Sequence, residues 1–515
     1  MAFARIENTV VKPAFISTPE AFQAIFTATN TMNVPFAGSV SGAKPALPFC
    51  RVELTITPAP GAEISSELWL PATERWNKRY LAMGAIGAAG TIDRGSLMTG
   101  IAKGYAIATS DAGSHSGGPF GMKFGRNPEL AANRSYRGVH LTAVASKQLV
   151  LGYYGEKPAA NVFMGCSGGG YEAMSLIQRY PEDYDGVLVG DPVLDWEKLG
   201  LWQGWIYAAS HRAPGAAIPA AKLPLLNQAT IGACDARDGV RDGVIDDPRG
   251  CKVDFKKLQC KADDAADCFT AAQVGTLEKI YTPFVHPRSK AMLYPAFNLG
   301  AESGVGAPAR LAGESIGSTV TAAQPGPLLW SLPEGFKPED WLTFDFAKDS
   351  DAAIKAYAPY ANSNPDLSAF KARGGKVIMF TGWADPNLHP EILISYYEAM
   401  SKKVGGAEAA RSFSRLFMAP GLNHCIGGPG PNVFGQQLVV DAPEGPERNI
   451  LQALERWVVD GVAPEQIIAQ RHEGDDRSKP VARTRPLCAY PKVARWTGQG
   501  STDAAENFRC VDAKE

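Results

Sequence analysis

Apolar and polar positions alternate with a period of two over residues 48–57 and 63–70, with the turn Pro58-Ala59-Pro60-Gly61-Ala62 between them. That pattern predicts two half-buried strands. Short apolar runs at 79–83 and 104–110 read as further strands, the second buried. A helical stretch over about 139–154 leads into the β-prone run Asn161-Val162-Phe163-Met164, and a second helical pattern fills 170–179. Strands and helices alternating in this way predict a parallel sheet in an α/β protein. After the run that ends at Asp191 the pattern changes. From about 192 to about 338, Trp, Pro, Gly and Ala are frequent and strand character is weak, as in an insertion laid over the C-terminal edge of a sheet. Strand patterns resume at 375–381 and 414–419, and an amphipathic helix is expected over 449–459. The organisation expected is a main domain formed by residues 1–191 and 339–515, with residues 192–338 as a lid, and there is no internal repeat.

Between the strand-like run at 161–164 and the helical stretch stands Gly165-Cys166-Ser167-Gly168-Gly169. Gly-x-Ser-x-Gly at a strand-to-helix junction is the nucleophile elbow of α/β hydrolases. The turn is too tight for side chains beside the serine, so the hydroxyl stands clear of the sheet. The next backbone N–H points out of the helix N-terminus, where negative charge is stabilised. A chain with 53 glycines produces such spacings by chance, so the motif needs partners. The glycine-rich segment 84–90, directly after an early strand, is where this fold places a second N–H donor. A plain flexible turn would read the same.

Composition narrows the class. The 515 residues are 45% hydrophobic and 20% charged with a net charge of −2, and no Lys/Arg cluster exceeds two or three residues. Nucleic acid and anionic membrane are therefore poor partners, and no apolar run is long enough to span a bilayer. The length calls for one large domain with an insertion, or for two to three domains. Of nine cysteines, Cys234 with Cys251, Cys260 with Cys268 and Cys488 with Cys510 are spaced like disulfide loops, and none forms a C-x-x-C zinc pattern. Disulfides persist in oxidising compartments, so a secreted or periplasmic protein is expected. Met1-Ala2-Phe3-Ala4-Arg5 does not open a signal peptide, and the chain reads as a mature form with an added initiator methionine. Cys50 is the odd cysteine, its partner expected in a removed N-terminal segment.

A serine hydroxyl needs a base, and the base needs a carboxylate to fix its tautomer. In this fold both follow strands, in the chain order Ser, Asp, His. Asp385, in Gly382-Trp383-Ala384-Asp385-Pro386, and His424, in Pro420-Gly421-Leu422-Asn423-His424-Cys425, meet that condition. Of the other histidines, His115 and His140 precede the serine, while His211, His286 and His472 follow no expected strand. His389 reads as a substrate or surface residue. Cys166 immediately precedes the serine and Cys425 immediately follows the histidine. A bond between them would bring their Cα atoms to about 5.5 Å and Ser167 and His424 within mutual reach. It would also close a long loop, worth on the order of 4–5 kcal/mol by the chain-entropy argument. Two buried free thiols are the alternative.

Cys166-Ser167, Asp385 and His424-Cys425 resemble the CS-D-HC pattern of the tannase and feruloyl esterase family, α/β hydrolases that include mono(2-hydroxyethyl) terephthalate hydrolase. The similarity extends to Trp76-Asn77-Lys78-Arg79, Thr109-Ser110-Asp111-Ala112, Tyr136-Arg137-Gly138-Val139-His140, the segment from Arg179 to Gly186, and Gly382-Trp383-Ala384-Asp385. The resemblance implies Ser167 as nucleophile, His424 as base and Asp385 as its orienting acid. It also implies an oxyanion hole from the Gly168 and Gly87 N–H groups, where one donor is worth roughly 3–4 kcal/mol of barrier. Two departures border the expected pocket. Gly168-Gly169-Gly170-Tyr171 stands where Thr-Gly-Gly-Arg is usual, and Gly84-Ala85-Ile86-Gly87 where Gly-Asn-Gly-Gly is common.

Within the lid, Asp235, Asp238 and Asp242 recur at short spacing with glycines between them. Carboxylates so close repel unless a hard cation joins them, and an all-oxygen set suits Ca²⁺. An exposed acidic turn is the alternative. The resemblance implies the same structural calcium site, with backbone carbonyls from Val240 and Val244, and a Cys234–Cys251 bridge would pin the loop. The expected protein is thus a monomeric serine esterase acting through an acyl-enzyme on small esters of aromatic carboxylic acids of feruloyl, galloyl or terephthalate monoester type. Trp202, Trp205, Trp330 and Trp341 are candidates to stack the acid's ring, or else lid core. The other readings are a peptidase or amidase on the same scaffold and a non-catalytic calcium-stabilised binding protein.

Overall fold

The structure is a computed structural model that describes residues 5–27, 47–87, 90, 92–114, 127–304, 306–312, 332, 335–437, 439 and 443–513. His115 and Trp330 lie outside the described residues. In chain order the strands are β1 (Thr9–Ile16), β2 (Phe49–Ile56), β3 (Ile64–Pro71), β4 (Arg79–Met83), β5 (Ala106–Ser110), β6 (Ala160–Cys166) and β7 (Gly186–Gly190). Then come β8 (Phe284–Val285), β9 (Met292–Tyr294), β10 (Lys376–Gly382) and β11 (Ser414–Ala419), and finally β12 (Gln466–His472), β13 (Val481–Cys488), β14 (Lys492–Trp496) and β15 (Phe508–Asp512). Nine of them form one sheet in the order β1-β2-β3-β5-β4-β6-β7-β10-β11. The first four neighbours pair antiparallel and the rest run parallel from β5 to β11. This is the α/β-hydrolase sheet, and its parallel strands are the ones that read as continuous apolar runs, because helices cover both faces.

The hairpin of β2 and β3 pairs Cys50 with Leu70 and Leu54 with Ser66. Two apolar clusters fill the two faces of the sheet. One contains Leu54, Tyr80, Phe163, Val187 and Met379, the other Trp69, Leu81, Met164, Leu188 and Phe380, and alternate residues of the same strands divide between them. The helix Gly138–Tyr154 covers the first face. The helix Ile450–Asp460, capped by Asn449 on the N–H of Gln452, covers the second through Leu451, Leu454 and Trp457.

Between β7 and β10 the chain leaves the sheet. Helices Trp196–His211, Leu223–Cys234 and Ala271–Ile280 form a separate cluster with a core of Trp202, Leu226, Leu277, Phe284 and Tyr294. That core continues past residue 338 to Trp341, Phe346 and Ala353. Disulfides join Cys234 to Cys251 and Cys260 to Cys268 inside it, and Cys488 to Cys510 between the two C-terminal hairpins. Cys50 is buried and unbridged. Among the described residues no helix is long and apolar enough to cross a membrane.

Candidate active site

Strand β6 ends at Cys166 and the helix Gly168–Arg179 begins two residues later, so Ser167 must turn the chain alone. It does so at φ 62° and ψ −117°, backbone that an L-residue adopts only when its surroundings enforce it. Two contacts enforce it. The Ser167 N–H donates to Gly190 O at 3.0 Å, and the Tyr171 N–H donates to Ser167 O at 2.9 Å. The flanking glycines are steric necessities. A Cβ on Gly165 would lie 2.1 Å from Gly169 O, and one on Gly168 would lie 1.9 Å from Gly87 O.

The partners arrive from the next strands. Asp385 lies three residues past β10 and is fully buried. Its Oδ1 accepts the N–H groups of Asn387 at 2.7 Å and Leu388 at 3.0 Å, and its Oδ2 accepts Nδ1–H of His424 at 2.7 Å. His424 follows β11, and its side chain is 23% exposed, enough to meet a substrate. The Cys166–Cys425 disulfide has an S–S distance of 2.01 Å and Cα atoms 6.1 Å apart, within the ordinary range. It joins residues 259 apart in sequence and sets Ser167 and His424 on adjacent ends of one bridge.

The glycine loop packs on the elbow. Gly84 approaches Gly169 so closely that a Cβ would lie 2.6 Å from its Cα, and Gly87 stands against Gly168. Three buried side chains hold this junction, and sequence reasoning missed all of them. Gln437 accepts the Cys166 N–H with Oε1 at 2.5 Å and donates from Nε2 to Gly84 O at 2.8 Å. Glu172 accepts the Ala85 N–H at 2.9 Å and pairs with Arg134 at 2.8 Å, and Arg134 reaches Gly87 O at 3.4 Å. Burial pushes the Glu172 carboxyl up, against the pull of Arg134. Gln437 gives no signal in the sequence, because it lies 271 residues from the strand it completes.

Asp191 was equally missed, although it satisfies the rule that selected Asp385: it directly follows a strand and stands between Ser167 and His424 in the chain. Geometry separates the two acids, since Nδ1 of His424 bonds Asp385. The remaining described histidines lie elsewhere. His140 bonds Asp183, His211 bonds Tyr207 O, His286 lies by Asp351, and His472 bonds Lys479 O. His389 is buried rather than at the surface, with Nδ1 on Pro295 O and its ring among Trp202, Tyr294 and Phe297. Trp202 and Trp341 are lid core, Trp341 packing on Phe336, Phe344 and Phe346. Trp205 stacks on Phe284. Tyr171 is wholly buried, its hydroxyl bonding Tyr360 O and Tyr357, so this departure from the expected motif anchors the lid.

The acidic loop takes a defined form. Asp235 accepts the N–H groups of Asp242 and Gly243, Asp238 that of Val240, and Asp242 that of Val244. A fourth carboxylate, Asp246, lies half-buried beside Asp238, and its inward Oδ1 has no hydrogen-bond partner. Burial, then Asp238, pushes the Asp246 carboxyl well above the usual range, and burial does the same more mildly at Asp238. Arg485 from β13 meets Asp242 Oδ2 at 2.6 Å, and Arg495 from β14 reaches Asp238 O at 3.3 Å.

Comparison with known proteins shows the family and the fold. The family described as tannase and feruloyl esterase matches residues 50–511. An uncharacterized esterase of Xanthomonas campestris pv. campestris is 36% identical over 512 residues, covering 92% of this chain and 86% of that protein. Feruloyl esterase C of Talaromyces stipitatus is 29% identical over 478 residues, covering 90% of this chain and 85% of its own length. The crystal structure of feruloyl esterase B from Aspergillus oryzae superposes with a TM-score of 0.81 at 24% identity, over 99% of this chain and 98% of that one. Tannin acyl hydrolase from Aspergillus niger gives 0.70 at 20% identity, over 99% and 92%, and both solved structures share the fold. With the family matched over most of its length and a relative above 30% identity covering nine-tenths of it, the chain belongs to the tannase and feruloyl esterase family and is a carboxylic ester hydrolase.

Proposed function

We propose that this esterase hydrolyses esters of aromatic carboxylic acids, of feruloyl, galloyl or terephthalate monoester type, through a serine-bound acyl-enzyme. The observation that carries the reading is the 2.7 Å bond from His424 Nδ1 to Asp385 Oδ2, with Cys425 tied to the residue before Ser167. In that arrangement Ser167 Oγ attacks the ester carbonyl while His424 Nε2 takes its proton, and Asp385 stabilises the imidazolium. The Gly168 and Gly87 N–H groups stabilise the oxyanion. His424 then protonates the departing alcohol, and a water deprotonated by the same ring releases the acid and restores Ser167. The feruloyl esterases among the relatives favour a phenolic acyl group. Ser167→Ala and Asp385→Asn are expected to abolish turnover of methyl ferulate, methyl gallate and mono(2-hydroxyethyl) terephthalate, and fluorophosphonate should label the wild type only at Ser167. A Ser167→Ala protein that keeps its turnover overturns the mechanism, and the three esters rank the acyl preference.

A calcium ion in the acidic loop belongs to the same reading. The buried, unpartnered Asp246 Oδ1 beside Asp238 fits a hard cation, since two adjacent half-buried carboxylates otherwise repel or share a proton. Asp235, Asp238, Asp242 and the carbonyls of Val240 and Val244 would hold it, with Asp246 added. The ion would supply charge neutralisation to the lid and no step of the reaction. Four disulfides support secretion to an oxidising compartment.

A further inference from the structure

We infer that Asp191 is a positioning residue for the reaction. It is a second buried carboxylate that ties the acid-bearing strand to the histidine loop and so keeps Asp385 and His424 in register with Ser167; the inference rests on the serine-esterase reading.

Asp191 directly follows β7, the strand between the serine strand β6 and the acid strand β10. It is 1% exposed, and its backbone takes φ 32°, left-handed geometry that a residue other than glycine holds only under constraint. The constraint is visible. Its N–H donates to Phe380 O of β10 at 2.9 Å. Its Oδ1 accepts the Gly382 N–H at 2.9 Å, three residues before Asp385. Its Oδ2 accepts the Cys425 N–H at 2.7 Å, one residue after His424. The nearby Thr381 hydroxyl also favours the ionised form of this carboxylate. Sγ of Cys166, on the serine's own strand, lies 3.6 Å from Oδ2 as a packing contact, since a bridged sulfur has no proton to give. One side chain thus touches backbone or sulfur within three residues of each member of the triad.

The placement is also electrostatic. A carboxylate oxygen of Asp191, one of Asp385 and a ring nitrogen of His424 all lie within 4.8 Å of one another. Two buried acids therefore share the surroundings of one imidazole. The titratable groups facing Asp191 are Asp385 beyond β10 and His424 beyond β11, and among the described residues no Lys or Arg bonds it. Burial and then the charge of Asp385 push the Asp191 carboxyl up to about 7, while His424 pulls it down. A negative charge in this place favours the protonated ring that forms when Ser167 gives up its proton. A fold-stabilising acid could sit anywhere in the core. This one spends both oxygens on the two loops that carry the catalytic pair.

Asp191→Asn tests the inference, because an amide has one acceptor oxygen and must turn an NH₂ toward a backbone N–H. In the disulfide-intact protein kcat is expected to fall about 10- to 100-fold with KM nearly unchanged. A wild-type kcat, or a fall confined to KM, overturns the inference. Ser167→Ala is assayed beside it: an inactive Ser167→Ala with an unaffected Asp191→Asn refutes only the role of Asp191, whereas an active Ser167→Ala refutes the esterase mechanism itself. If Asp191→Asn does not fold, Thr381→Val removes the polar neighbour that favours the ionised carboxylate and leaves both backbone bonds. It is expected to lower kcat about two- to tenfold at constant KM, and an unchanged kcat overturns the role.

Discussion

Gln437 shows how much of the site depends on single buried amides. Its two hydrogen bonds connect the end of the serine strand to the first residue of the glycine loop, and it is 1% exposed. Replacement by Ala would leave the Cys166 N–H and the Gly84 carbonyl without partners in a dry interior. Each such orphan costs roughly 1–3 kcal/mol. Gln437→Ala should therefore lower the denaturant midpoint measurably. It should lower kcat more than KM, because a displaced loop affects oxyanion stabilisation more than substrate binding. The proposed reacting residues stand out in the sequence because they carry local signatures: a glycine-flanked serine, an acid and a histidine after strands. Gln437, Arg134 and Asp191 act through contacts made only after folding, and no spacing announces them.

At the scale of elements, legibility followed the burial of each strand. The parallel strands β4, β6, β10 and β11 are mainly apolar and buried at all but one position each, and they were predicted within a few residues. The strand β1 was not anticipated, since its outer residues Val10 and Phe15 are exposed and Pro13 interrupts it at the sheet edge. The hairpins β12–β13 and β14–β15 were missed because two-stranded ribbons with Arg471, Arg483 and Arg495 along them show little two-residue apolar periodicity. One ion-pair network ties two predicted strands to a helix that the sequence pattern does not announce. Glu67 on β3 is 1% exposed and bonds Arg51 of β2 at 2.6 Å, Arg94 of the helix Arg94–Ala102 at 2.6 Å, and Trp69 Nε1 at 2.9 Å. Burial alone would raise its pKa, but the two arginines outweigh it and hold the carboxyl below the ordinary 4.5. An acid with a lowered folded pKa stabilises the protein above its unfolded value, and that contribution is lost as pH falls through the folded one. Glu67→Gln should therefore cost about 3 kcal/mol at neutral pH. The gap from wild type should close below pH 4.5, as acid-unfolding curves of the two proteins would record.

For the whole molecule the question is what holds the lid segment to the catalytic sheet. The Cys166–Cys425 bridge lies within the catalytic part, and Tyr171 with Tyr357 and Tyr360 anchors one side of the lid. The other side meets the C-terminal hairpins through the acidic loop. Arg485 and Arg483 reach Asp242, and Val240 packs with Cys488, Ala494 and Phe508. This contact was illegible because it joins segments about 240 residues apart, although the aspartates themselves were plain. The proposed calcium would bind at this seam, so its effect should appear as the stability of the assembly rather than as chemistry. A ligand present at a hundred times its Kd adds about 2.7 kcal/mol to the folded state. Dialysis against EDTA should lower Tm by a few degrees and readdition of Ca²⁺ should restore it, while Mg²⁺, which demands a smaller and more regular shell, should restore little. Asp246→Asn should abolish the calcium-dependent part of Tm and leave ester turnover at 25 °C near wild type, because the proposed ion takes no part in the ester chemistry. A Tm that ignores both EDTA and Ca²⁺ would instead mean that Asp238 and Asp246 share a proton, with Arg485 alone holding the seam.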